Sequence, residues 1–479
     1  MTKRTKVIAT LGPSIDNEEK IIKAYNAGVN VIRFNFSHSN YSDAQKSIDL
    51  INNLNNSGKT NLSLLLDTKG PEIRTGNLEN SIKYKTGDEF KMYVSDNKLG
   101  EKDLFCDYEY LCEDIEIGKK VIIDSGLLEV EVLEKGSDYV LVKALNDSEI
   151  GSRRHINLPG VKLKMPGVTK KDKEDILFAI KNNFSFIAAS FIRNAGNILE
   201  IRKIFEEYSC ENCKIISKIE NEEAIDNIDE IILKSDGIMI ARGDLGIEVP
   251  IEKLAVYQRD IIDKCKKYGK FVIIATHLLE TMISNPFPTR AESSDVFNSI
   301  LQSPDSLMLS GETAIGRFPI GAIKMMSKII TEAEKFAEYE HKDSLDYGLN
   351  SRDIEKKLLI KSGIYIGEKL DVKCLIIFTK TGLLAKLTAG FRPRIPVYAF
   401  TNIESSVGIM NLYFGINGIF LDGWKSNTPT SSSTLEKALL KLKEKGVLDN
   451  EDKAIVINDI QKNDVHIPVM EIVNVKDFL

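Results

Sequence analysis

Cysteines are sparse in this sequence, with six in 479 residues. So few thiols in so long a chain do not make a disulfide framework. Cys210 and Cys213 are two residues apart, but no second pair follows at zinc-site spacing, so we interpret them as ordinary thiols. No apolar run approaches the roughly 18 residues of a membrane span, and the basic start leads into no signal-peptide-like segment. We therefore expect a cytoplasmic protein that does not enter a membrane.

A strong charge of either sign is also missing. The net charge is -6 at pH 7, and 43% hydrophobic with 28% charged residues is ordinary for a soluble globular protein. Such a chain has no general attraction for nucleic acid or anionic membranes, so we expect neither as a partner and expect any anion to be bound locally. The length exceeds the ~250–300 residues at which a single core stops growing, which predicts two or three domains.

Short apolar segments alternate with helical spacing from the start of the chain to about residue 335. The helical segments between them often end in Gly or Asn, as helices of βα units do. Eight such units predict an α/β fold with a (β/α)8 TIM barrel, formed by residues 1–70 and 165–340, whose site lies at the C-terminal ends of its strands. The eight predicted strands are TKVIATLG, VNVIRFNF, LSLLLDTK, FSFIAASF, KIISKIEN, DGIMIARGD, KFVIIATH and DSLMLSGET.

Two further domains interrupt and follow the barrel pattern. After the third predicted strand comes a long stretch of strand-like pieces and turns, which predicts an inserted all-β domain at 71–164. Because this insertion leaves the C-terminal face of the barrel, we expect it to cover the site as a lid. After a polar linker, helices and strands alternate again, which predicts a C-terminal α/β domain at 350–479.

Charged residues lie inside strands that are otherwise apolar. The isoleucine-rich segment KIISKIEN holds Lys218 and Glu220, and burial of an unpaired charge costs several kcal/mol. A period of two puts both side chains on one face. In VNVIRFNFSH the same period puts Arg33, Asn35 and Ser37 on the face toward the barrel mouth, while the phenylalanines pack under the helices. The charged side chains can therefore point into one site.

Polar residues also follow the other predicted strands. An ordinary set of ion pairs at a sheet margin would account for any one of them, but not for all together. Glu220 and Asp244 supply the hard oxygen ligands that suit Mg2+, and Arg33 and Lys218 are left to face an anion. These parts match phosphoryl transfer, in which catalysis is mostly positioning and charge neutralisation. The oxygens that suit a monovalent cation come from Asn35, Ser37, Asp67 and Thr68, and the remaining polar strand ends are Thr276, Ser310 and Glu312.

The motifs that carry these residues are long and ordered: RFNFSH (33–38), LDTKGPEIRTG (66–76), SKIEN (217–221), ARGDLG (241–246) and MLSGETA (308–314). Through them the chain resembles pyruvate kinase over nearly its whole length. The resemblance implies the same three domains and the transfer of a phosphoryl group from phosphoenolpyruvate to ADP, giving pyruvate and ATP. It also implies Mg2+ (or Mn2+) and K+ as cofactors, and a homotetramer.

The resemblance further implies a role for each matching residue. Lys218 and Arg33 would hold the transferring phosphoryl group, and Glu220 and Asp244 would hold Mg2+. The potassium site would comprise Asn35, Ser37, Asp67 and Thr68, and the nucleotide phosphates would meet Arg74, His38 and Lys171.

The other end of the substrate also has its implied partners. The backbone of Gly243 and Asp244, with the Thr276 hydroxyl, would receive the substrate carboxylate. A water chain through Thr276 and Ser310 would protonate the enolate that remains.

Some positions differ from the usual family pattern, and one position distinguishes K+-dependent from K+-independent members. Ser39 stands where the family usually has Gly, and His277 and Leu278 stand where it has Gln and Met. We interpret His277 as a polar replacement beside the site and not as a proton donor, because no base partner is evident nearby in sequence. Glu72 predicts dependence on K+, since K+-independent members carry a lysine there.

The C-terminal domain departs further, at the place where sugar-phosphate-activated members bind their effector. Leu383 and Leu384 replace a basic residue and a hydroxyl, and the segment NDIQKNDVHIPVMEIVNV has no glycine. We expect weak or no activation by fructose 1,6-bisphosphate, with a smaller monophosphate or nothing as effector, unless the loop bearing Trp424 and Lys425 compensates. The effector-binding candidates are Thr379, Lys380, Thr381 and Gly382.

Two other classes remain open. Mg2+-dependent barrel aldolases and lyases also stabilise a pyruvate enolate with a Glu and an Asp, but they need no nucleotide. A non-catalytic relative that only senses nucleotides or sugar phosphates would be expected to lack Lys218, Glu220 or Asp244, and all three are present.

Overall fold

The first part of the chain alternates buried strands with amphipathic helices. A computed structural model of the protein describes residues 3–37, 40–95, 100–338, 348–424, 432–462 and 465–478. Asn17 caps the first helix by accepting a hydrogen bond from the Lys20 N–H, and Gly28 ends it with a φ of 114°, which glycine adopts at little cost. The elements are β1 (Lys6–Thr10), α1 (Glu18–Ala27), β2 (Val31–Asn35), α2 (Tyr41–Asn56) and β3 (Ser63–Asp67).

After β3 the chain builds a separate β domain, which we call the lid. Its elements are β4 (Ile73–Arg74), β5 (Ile82–Tyr84), β6 (Glu89–Tyr93), β7 (Leu104–Phe105), α3 (Leu111–Asp114), β8 (Lys120–Ile123), β9 (Leu128–Lys135), β10 (Tyr139–Ala144), β11 (Ser148–Ile150) and β12 (His155–Asn157). Seven strands form one sheet in the order β4-β12-β8-β9-β10-β6-β7, and β11 pairs with β5. Alternate apolar side chains such as Val130 and Val142 fill a core of the lid's own. The predicted all-β insertion is confirmed, while its limits at 71–164 stay a prediction.

The chain then returns to complete the barrel. The elements are α4 (Lys170–Lys181), β13 (Phe186–Ala189), α5 (Ala195–Glu207), β14 (Lys214–Ile219), α6 (Glu222–Asp226), α7 (Ile228–Lys234), β15 (Gly237–Ala241), α8 (Arg242–Glu248), α9 (Ile251–Lys267), β16 (Phe271–Ala275), α10 (Arg290–Leu301), β17 (Ser306–Leu309), α11 (Gly311–Ala314) and α12 (Pro319–Ala333). Eight parallel strands close in the order β1-β17-β16-β15-β14-β13-β3-β2. The predicted (β/α)8 barrel is confirmed.

The C-terminal domain is a five-stranded sheet flanked by helices. Its elements are α13 (Ser351–Lys369), β18 (Cys374–Phe378), α14 (Leu383–Gly390), β19 (Val397–Thr401), α15 (Glu404–Met410), β20 (Ile416–Phe420), α16 (Ser432–Glu444), β21 (Lys453–Lys462) and β22 (Val465–Asn474). The strand order is β20-β19-β18-β21-β22, with β22 antiparallel to β21. This is the α/β domain that the sequence predicts.

Apolar side chains pack in two layers around the barrel wall. One set lies between strands and helices and includes Phe34 and Phe36. The other lies inside the barrel, and there Ile8 and Met239 share a cluster with Leu375 of the C-terminal sheet. All six cysteines are free thiols. Across the described ranges, the structure has no helix that combines the length and the apolar character of a membrane span.

Candidate active site at the mouth of the barrel

The polar residues predicted at the strand ends lie at one end of the barrel. Because the strands are parallel, their C-terminal ends form one rim: Arg33 and Asn35 lie at the end of β2, Asp67 ends β3, and Lys218 lies near the end of β14. Asn35 is opposite Asp67 in the register of the two strands. Ser37 lies two residues beyond β2, where its N–H donates to Asn35 Oδ1 (3.2 Å). Strand alternation therefore does not set the direction of Ser37.

The Lys218 ammonium is paired with two carboxylates at the barrel rim. Its Nζ lies 2.8 Å from Glu220 Oε1 and 3.1 Å from Asp67 Oδ1, and both acidic side chains are only 1% exposed. Burial alone would lower the pKa of Lys218, but the charges of Asp67 and Glu220 raise it above its ordinary value. Asp67 and Glu220 therefore favour the charged form of Lys218 inside an apolar strand, and they explain how the strand tolerates it.

Asp67 holds a second cation beside Lys218. Arg33 Nε donates to Asp67 Oδ2 (2.7 Å), and Arg33 Nη1 donates to Thr10 Oγ1 (3.0 Å). Burial raises the pKa of Asp67, yet Lys218 and Arg33 outweigh burial and hold this pKa below its ordinary value. The ionised carboxylate thus keeps two cationic side chains together at the barrel mouth, which suits a multiply charged anion such as a phosphoryl group.

Ser190 belongs to the same network, although it is not among the site residues predicted from the sequence. Lys218 Nζ donates to Ser190 Oγ (2.7 Å), and Ser190 Oγ donates to the backbone oxygen of Thr68 (2.7 Å). The Ser190 N–H donates to Thr68 Oγ1 (3.1 Å). Ser190 directly follows β13, so the rule that selects polar residues after barrel strands would have found it.

Glu220 and Asp244 form the acidic side of the rim. Glu220 Oε2 accepts a hydrogen bond from the Phe191 N–H (2.7 Å), and Asp244 lies in the first turn of α8. Burial raises the pKa of Glu220 to about 7; Lys218 opposes this rise and the neighbouring Asp244 charge adds to it. Two carboxylates that repel each other fit a divalent cation. In the described part of the chain, no three His, Cys, Asp or Glu side chains form a group that could hold a metal by themselves.

The Thr276 turn is held in an unusual backbone conformation. Thr276 and His277 have positive φ values of 67° and 53°, which are strained for residues other than glycine. Arg242 fixes this turn by donating to the backbone oxygens of Thr276 (3.0 Å) and His277 (2.9 Å), and it is paired with Asp295 (2.8 Å). Arg242 lies within the ARGDLG motif, but no sequence pattern identifies Asp295 as its partner. The exposed His277 ring has Nε2 3.6 Å from Glu280 Oε2.

Gly243 lies directly against this turn. Its N–H donates to Thr276 Oγ1 (2.7 Å), and a Cβ at position 243 would lie 3.3 Å from the same oxygen. The close approach explains why a glycine serves here.

Ser310 and Glu312 lie after β17. Glu312 accepts hydrogen bonds from the backbone N–H groups of Ser310 (2.7 Å) and Leu279 (3.2 Å), which ties the loops after β16 and β17 together. Ser310 Oγ is buried and makes no hydrogen bond to the described residues. A buried hydroxyl with unmet hydrogen-bonding capacity at the rim is suited to hold water or substrate.

Two of the residues predicted to meet the nucleotide, Arg74 and Lys171, are each paired with a carboxylate. Arg74 on β4 pairs with Glu72 (2.7 Å), and Lys171 on α4 pairs with Asp175 and donates to Tyr41 Oη (3.1 Å). His38 and Ser39 lie outside the described residues. The nucleotide assignment therefore stays a prediction.

The effector-binding candidates lie between β18 and α14. Thr379 is buried, and its Oγ1 accepts a hydrogen bond from the Gly382 N–H (3.1 Å), while Lys380 and Thr381 are exposed. Leu384 is 3% exposed and belongs to the buried cluster that joins the barrel interior to the C-terminal sheet. The leucine that stands here in place of a hydroxyl residue therefore serves packing. The assignment of the effector site stays a prediction.

The lid is joined to the barrel beside the site by a partly buried polar contact. Asn157 Nδ2, at the end of β12, donates to Glu248 Oε1 (2.6 Å), at the end of α8. Burial raises the pKa of Glu248 to about 7, with the Asn157 hydrogen bond opposing the rise and Asp244 and Glu222 adding to it. Glu248 therefore binds a proton more tightly in the folded protein than in the unfolded chain.

We expect Glu248→Gln to stabilise the protein at pH 8 but not at pH 5. The wild type loses the stability contributed by protonated Glu248 as pH rises from about 4.5 to about 7, whereas Gln keeps the hydrogen bond and does not ionise. The Tm difference between variant and wild type should grow by about 2 °C across this interval in thermal scans. Glu252→Gln, at an exposed position on α9, is the control. A Tm difference that is the same at both pH values would contradict the expectation.

Comparison with known proteins agrees with this architecture. The model of the family described as "Pyruvate kinase, barrel domain" matches residues 2–323, and that described as "Pyruvate kinase, alpha/beta domain" matches residues 358–473. A pyruvate kinase of Borreliella burgdorferi is 40% identical over 460 residues, covering 96% of this chain and 94% of that protein. One of Staphylococcus epidermidis is 39% identical over 460 residues, covering 95% of this chain and 77% of that protein.

The three-dimensional fold has a solved relative as well. A crystal structure of a pyruvate kinase from Cryptosporidium parvum has a TM-score of 0.90 at 36% sequence identity, covering 98% of this chain and 96% of that one. The chain therefore belongs to the pyruvate kinase family, whose members are phosphotransferases.

Proposed function

We propose that this chain transfers the phosphoryl group of phosphoenolpyruvate to ADP, giving pyruvate and ATP. The observation that carries the proposal is the buried pairing of Lys218 and Arg33 through Asp67 at the barrel mouth. The two cations are fixed before substrate arrives, so they can neutralise the charge that spreads over the phosphoryl oxygens in the transition state. We further propose a cytoplasmic homotetramer that binds no nucleic acid.

The divalent cation site would be formed by Glu220 and Asp244. Their mutual repulsion and the absence of a third acidic or imidazole ligand in the described ranges fit Mg2+ or Mn2+, completed by substrate oxygens and water. When bound, the ion supplies positive charge next to the phosphoryl group. The chain's contribution is to hold Glu220 in place through the Phe191 N–H and Lys218.

The substrate carboxylate would be received at the start of α8. The Asp244 N–H lies in the first turn of this helix. The Gly243 N–H donates to the Thr276 hydroxyl, so the substrate carboxylate would replace that hydroxyl as its acceptor. After phosphoryl transfer the enolate takes a proton, and the buried Ser310 hydroxyl supports a water chain past Thr276. Arg242 acts indirectly here, because it holds the strained Thr276 turn.

The monovalent cation would be held by Asn35, Ser37, Asp67 and Thr68. The salt dependence of the rate tests whether this cation is required. Glu72, which is paired with Arg74, stands where K+-independent members of the family carry a lysine. Position 72 therefore supplies no positive charge that could replace K+. We expect the rate in tetramethylammonium chloride to be about tenfold or more below that in KCl at equal ionic strength. Glu72→Lys should reduce this dependence. Equal wild-type rates in both salts would refute the assignment.

The nucleotide side would include Arg74, Lys171 and His38. Arg74 and Lys171 are only partly buried and each is held by a carboxylate, so nucleotide phosphates would compete with Glu72 and Asp175 for them. The lid that carries Arg74 would bring it toward the bound nucleotide on closure.

Regulation by fructose 1,6-bisphosphate is expected to be weak or absent. Pairing between β21 and β22 continues to Lys462 and Val465, so only two residues connect these strands and no long loop can close over a bisphosphate. Trp424 packs against Phe378 of β18, and Lys425 lies outside the described residues. The phosphoenolpyruvate concentration for half-maximal rate should shift by less than about twofold with the effector present. A large decrease in this phosphoenolpyruvate concentration at micromolar fructose 1,6-bisphosphate would contradict the expectation. The same measurement with a sugar monophosphate is the matched comparison.

The proposed reaction is tested by coupling ATP formation to a spectroscopic assay. Turnover of phosphoenolpyruvate should require ADP and a divalent cation. Consumption of phosphoenolpyruvate at an equal rate without ADP would favour a lyase and overturn the proposal.

A further inference from the structure

A cavity of about 940 Å³ lies at the end of the barrel opposite the catalytic rim. Residues at the starts of β3, β13 and β14 form its barrel wall, and residues of α15, β20 and α16 form its wall in the C-terminal domain. Lys218 is near the other end of β14, so the mechanism above does not use this cavity. The charged lining residues are Glu211, Glu404 and Lys441, and the others are mainly amides, hydroxyls and apolar groups.

Two cysteines line this cavity in the turn between α5 and β14. Cys210 is partly exposed and Cys213 is 3% exposed, and both are free thiols. Both ends of the turn are anchored: the Cys210 N–H donates to the Phe205 oxygen (2.8 Å), and the Lys214 N–H donates to the Ser185 oxygen (3.0 Å). A fixed turn with two residues between the cysteines has the spacing of dithiols that cycle between reduced and oxidised forms.

The turn directs three donors at the sulfur of Cys210. The Cys213 thiol donates to Cys210 Sγ, and the backbone N–H groups of Cys213 and Asn212 do so as well. The Cys213 contact contributes most to lowering the pKa of Cys210 to about 7; burial opposes the change, and the Lys214 charge adds to it. From the sequence we interpret this pair as ordinary thiols, but these contacts make Cys210 a nucleophilic thiolate near neutral pH.

Cys213 has the opposite character. Burial is the main cause that raises its pKa well above the ordinary value, and Cys210 and the Asp236 charge raise it further. Asp236 is itself paired with Arg202 (2.9 Å). Cys213 therefore stays protonated beside the Cys210 thiolate. One exposed attacking thiol and one buried thiol behind it are the two parts that thiol–disulfide exchange requires.

The other four cysteines lack this arrangement. Burial raises the pKa of Cys106 and of Cys374 to about 12, and it also raises the pKa of Cys265 and of Cys112. Cys112 is partly exposed like Cys210, so exposure alone does not distinguish the two. The contacts around Cys210 Sγ do.

We propose that Cys210 and Cys213 are a redox-active dithiol that reduces a small-molecule disulfide and becomes a disulfide itself. The Cys210 thiolate attacks one sulfur of the small disulfide, whose S–S bond breaks and releases one thiolate. Cys213 gives its proton to the released thiolate and attacks Cys210 Sγ, which displaces the second thiolate. Two protein thiols are oxidised while one small disulfide is reduced to two thiols. The cavity beside the turn admits the small disulfide to Cys210.

The test is incubation of the reduced full-length protein with 2-hydroxyethyl disulfide at pH 8, followed by alkylation and mass spectrometry of the intact chain and its peptides. The wild type should lose two hydrogen atoms, with the disulfide mapped to Cys210 and Cys213. Cys213→Ser should instead accumulate one mixed disulfide at Cys210, because the second attack is missing. Cys210→Ser should release 2-mercaptoethanol at least about tenfold more slowly than the wild type. Cys112→Ser is the matched control and should react as the wild type does.

The peptide maps decide the outcome. Wild-type protein that keeps both thiols, or that reacts first at Cys112, would overturn the proposal. A mixed disulfide that persists at Cys210 of the wild type would do the same, because Cys213 would then not attack it. Circular dichroism of each serine variant before oxidation checks that it is folded. None of these measurements depends on phosphoryl transfer, so the proposed reaction and the dithiol are tested separately.

Discussion

Replacing Lys218 with Met is expected to reduce phosphoryl transfer by about 10³-fold or more. Met keeps the length of the side chain but removes the charge that Asp67 and Glu220 hold at the barrel mouth. Arg33 remains paired with Asp67, so the variant keeps one of the two cations and its residual rate measures what Arg33 achieves alone. The coupled assay with saturating phosphoenolpyruvate, ADP and Mg2+ gives the comparison.

We also expect Lys218→Met to affect stability. Asp67 retains Arg33, but Glu220 loses its cationic partner while buried, so we expect a lower Tm in a protein that still folds. Activities are therefore compared below the unfolding transition of both proteins. Lys214→Met, at the start of the same strand and away from the rim, is the matched control. A Lys218→Met protein with a tenth of the wild-type rate would remove Lys218 from the mechanism.

Replacing Glu220 with Gln is expected to lower the rate by about 10²-fold or more at moderate Mg2+ concentrations. Gln has nearly the same shape but lacks the charge that, with Asp244, attracts the divalent cation. The amide also places an N–H₂ group near either Lys218 or the Phe191 N–H, which are both donors to the native carboxylate.

The diagnostic measurement for Glu220→Gln is the Mg2+ dependence of the rate. The Mg2+ concentration for half-maximal activity should rise at least about tenfold, and high Mg2+ should recover part of the activity. Glu223→Gln, on the following helix and outside the proposed metal site, should titrate as the wild type does. An unchanged Mg2+ midpoint would show that Glu220 does not hold the ion.

Local sequence pattern was sufficient to predict the barrel and to place Arg33, Asp67 and Lys218 at one end of it. In β2 the alternation of polar and aromatic residues follows from the pleat of a strand, and the structure indeed buries Phe34 and Phe36 under the helices. The same periodicity places Lys218 and Glu220 together. Such predictions succeed because they depend only on the geometry of single strands and on the shared direction of parallel strands.

Contacts between distant segments could not be read from these patterns. Arg242 reaches Asp295, and Asn157 reaches Glu248, across many residues of chain, so these pairs depend on the packing of separate loops. The positive φ of Thr276 could not be predicted from the sequence either, because the residue is not a glycine. The effector loop shows the same limit: Leu384 reads as a missing phosphate ligand in sequence, but in the structure it is a core residue.

The apolar interior of the barrel and the C-terminal sheet share one buried cluster. Ile8 and Met239 belong to the same buried cluster as Leu375 and Tyr413, so neither domain can open without exposing the other's core to water. We therefore expect amide protons of β18 and of the barrel strands to exchange through a common opening. The lid has its own core and lies outside this cluster. We therefore expect the lid to move relative to the barrel more readily than the C-terminal domain does.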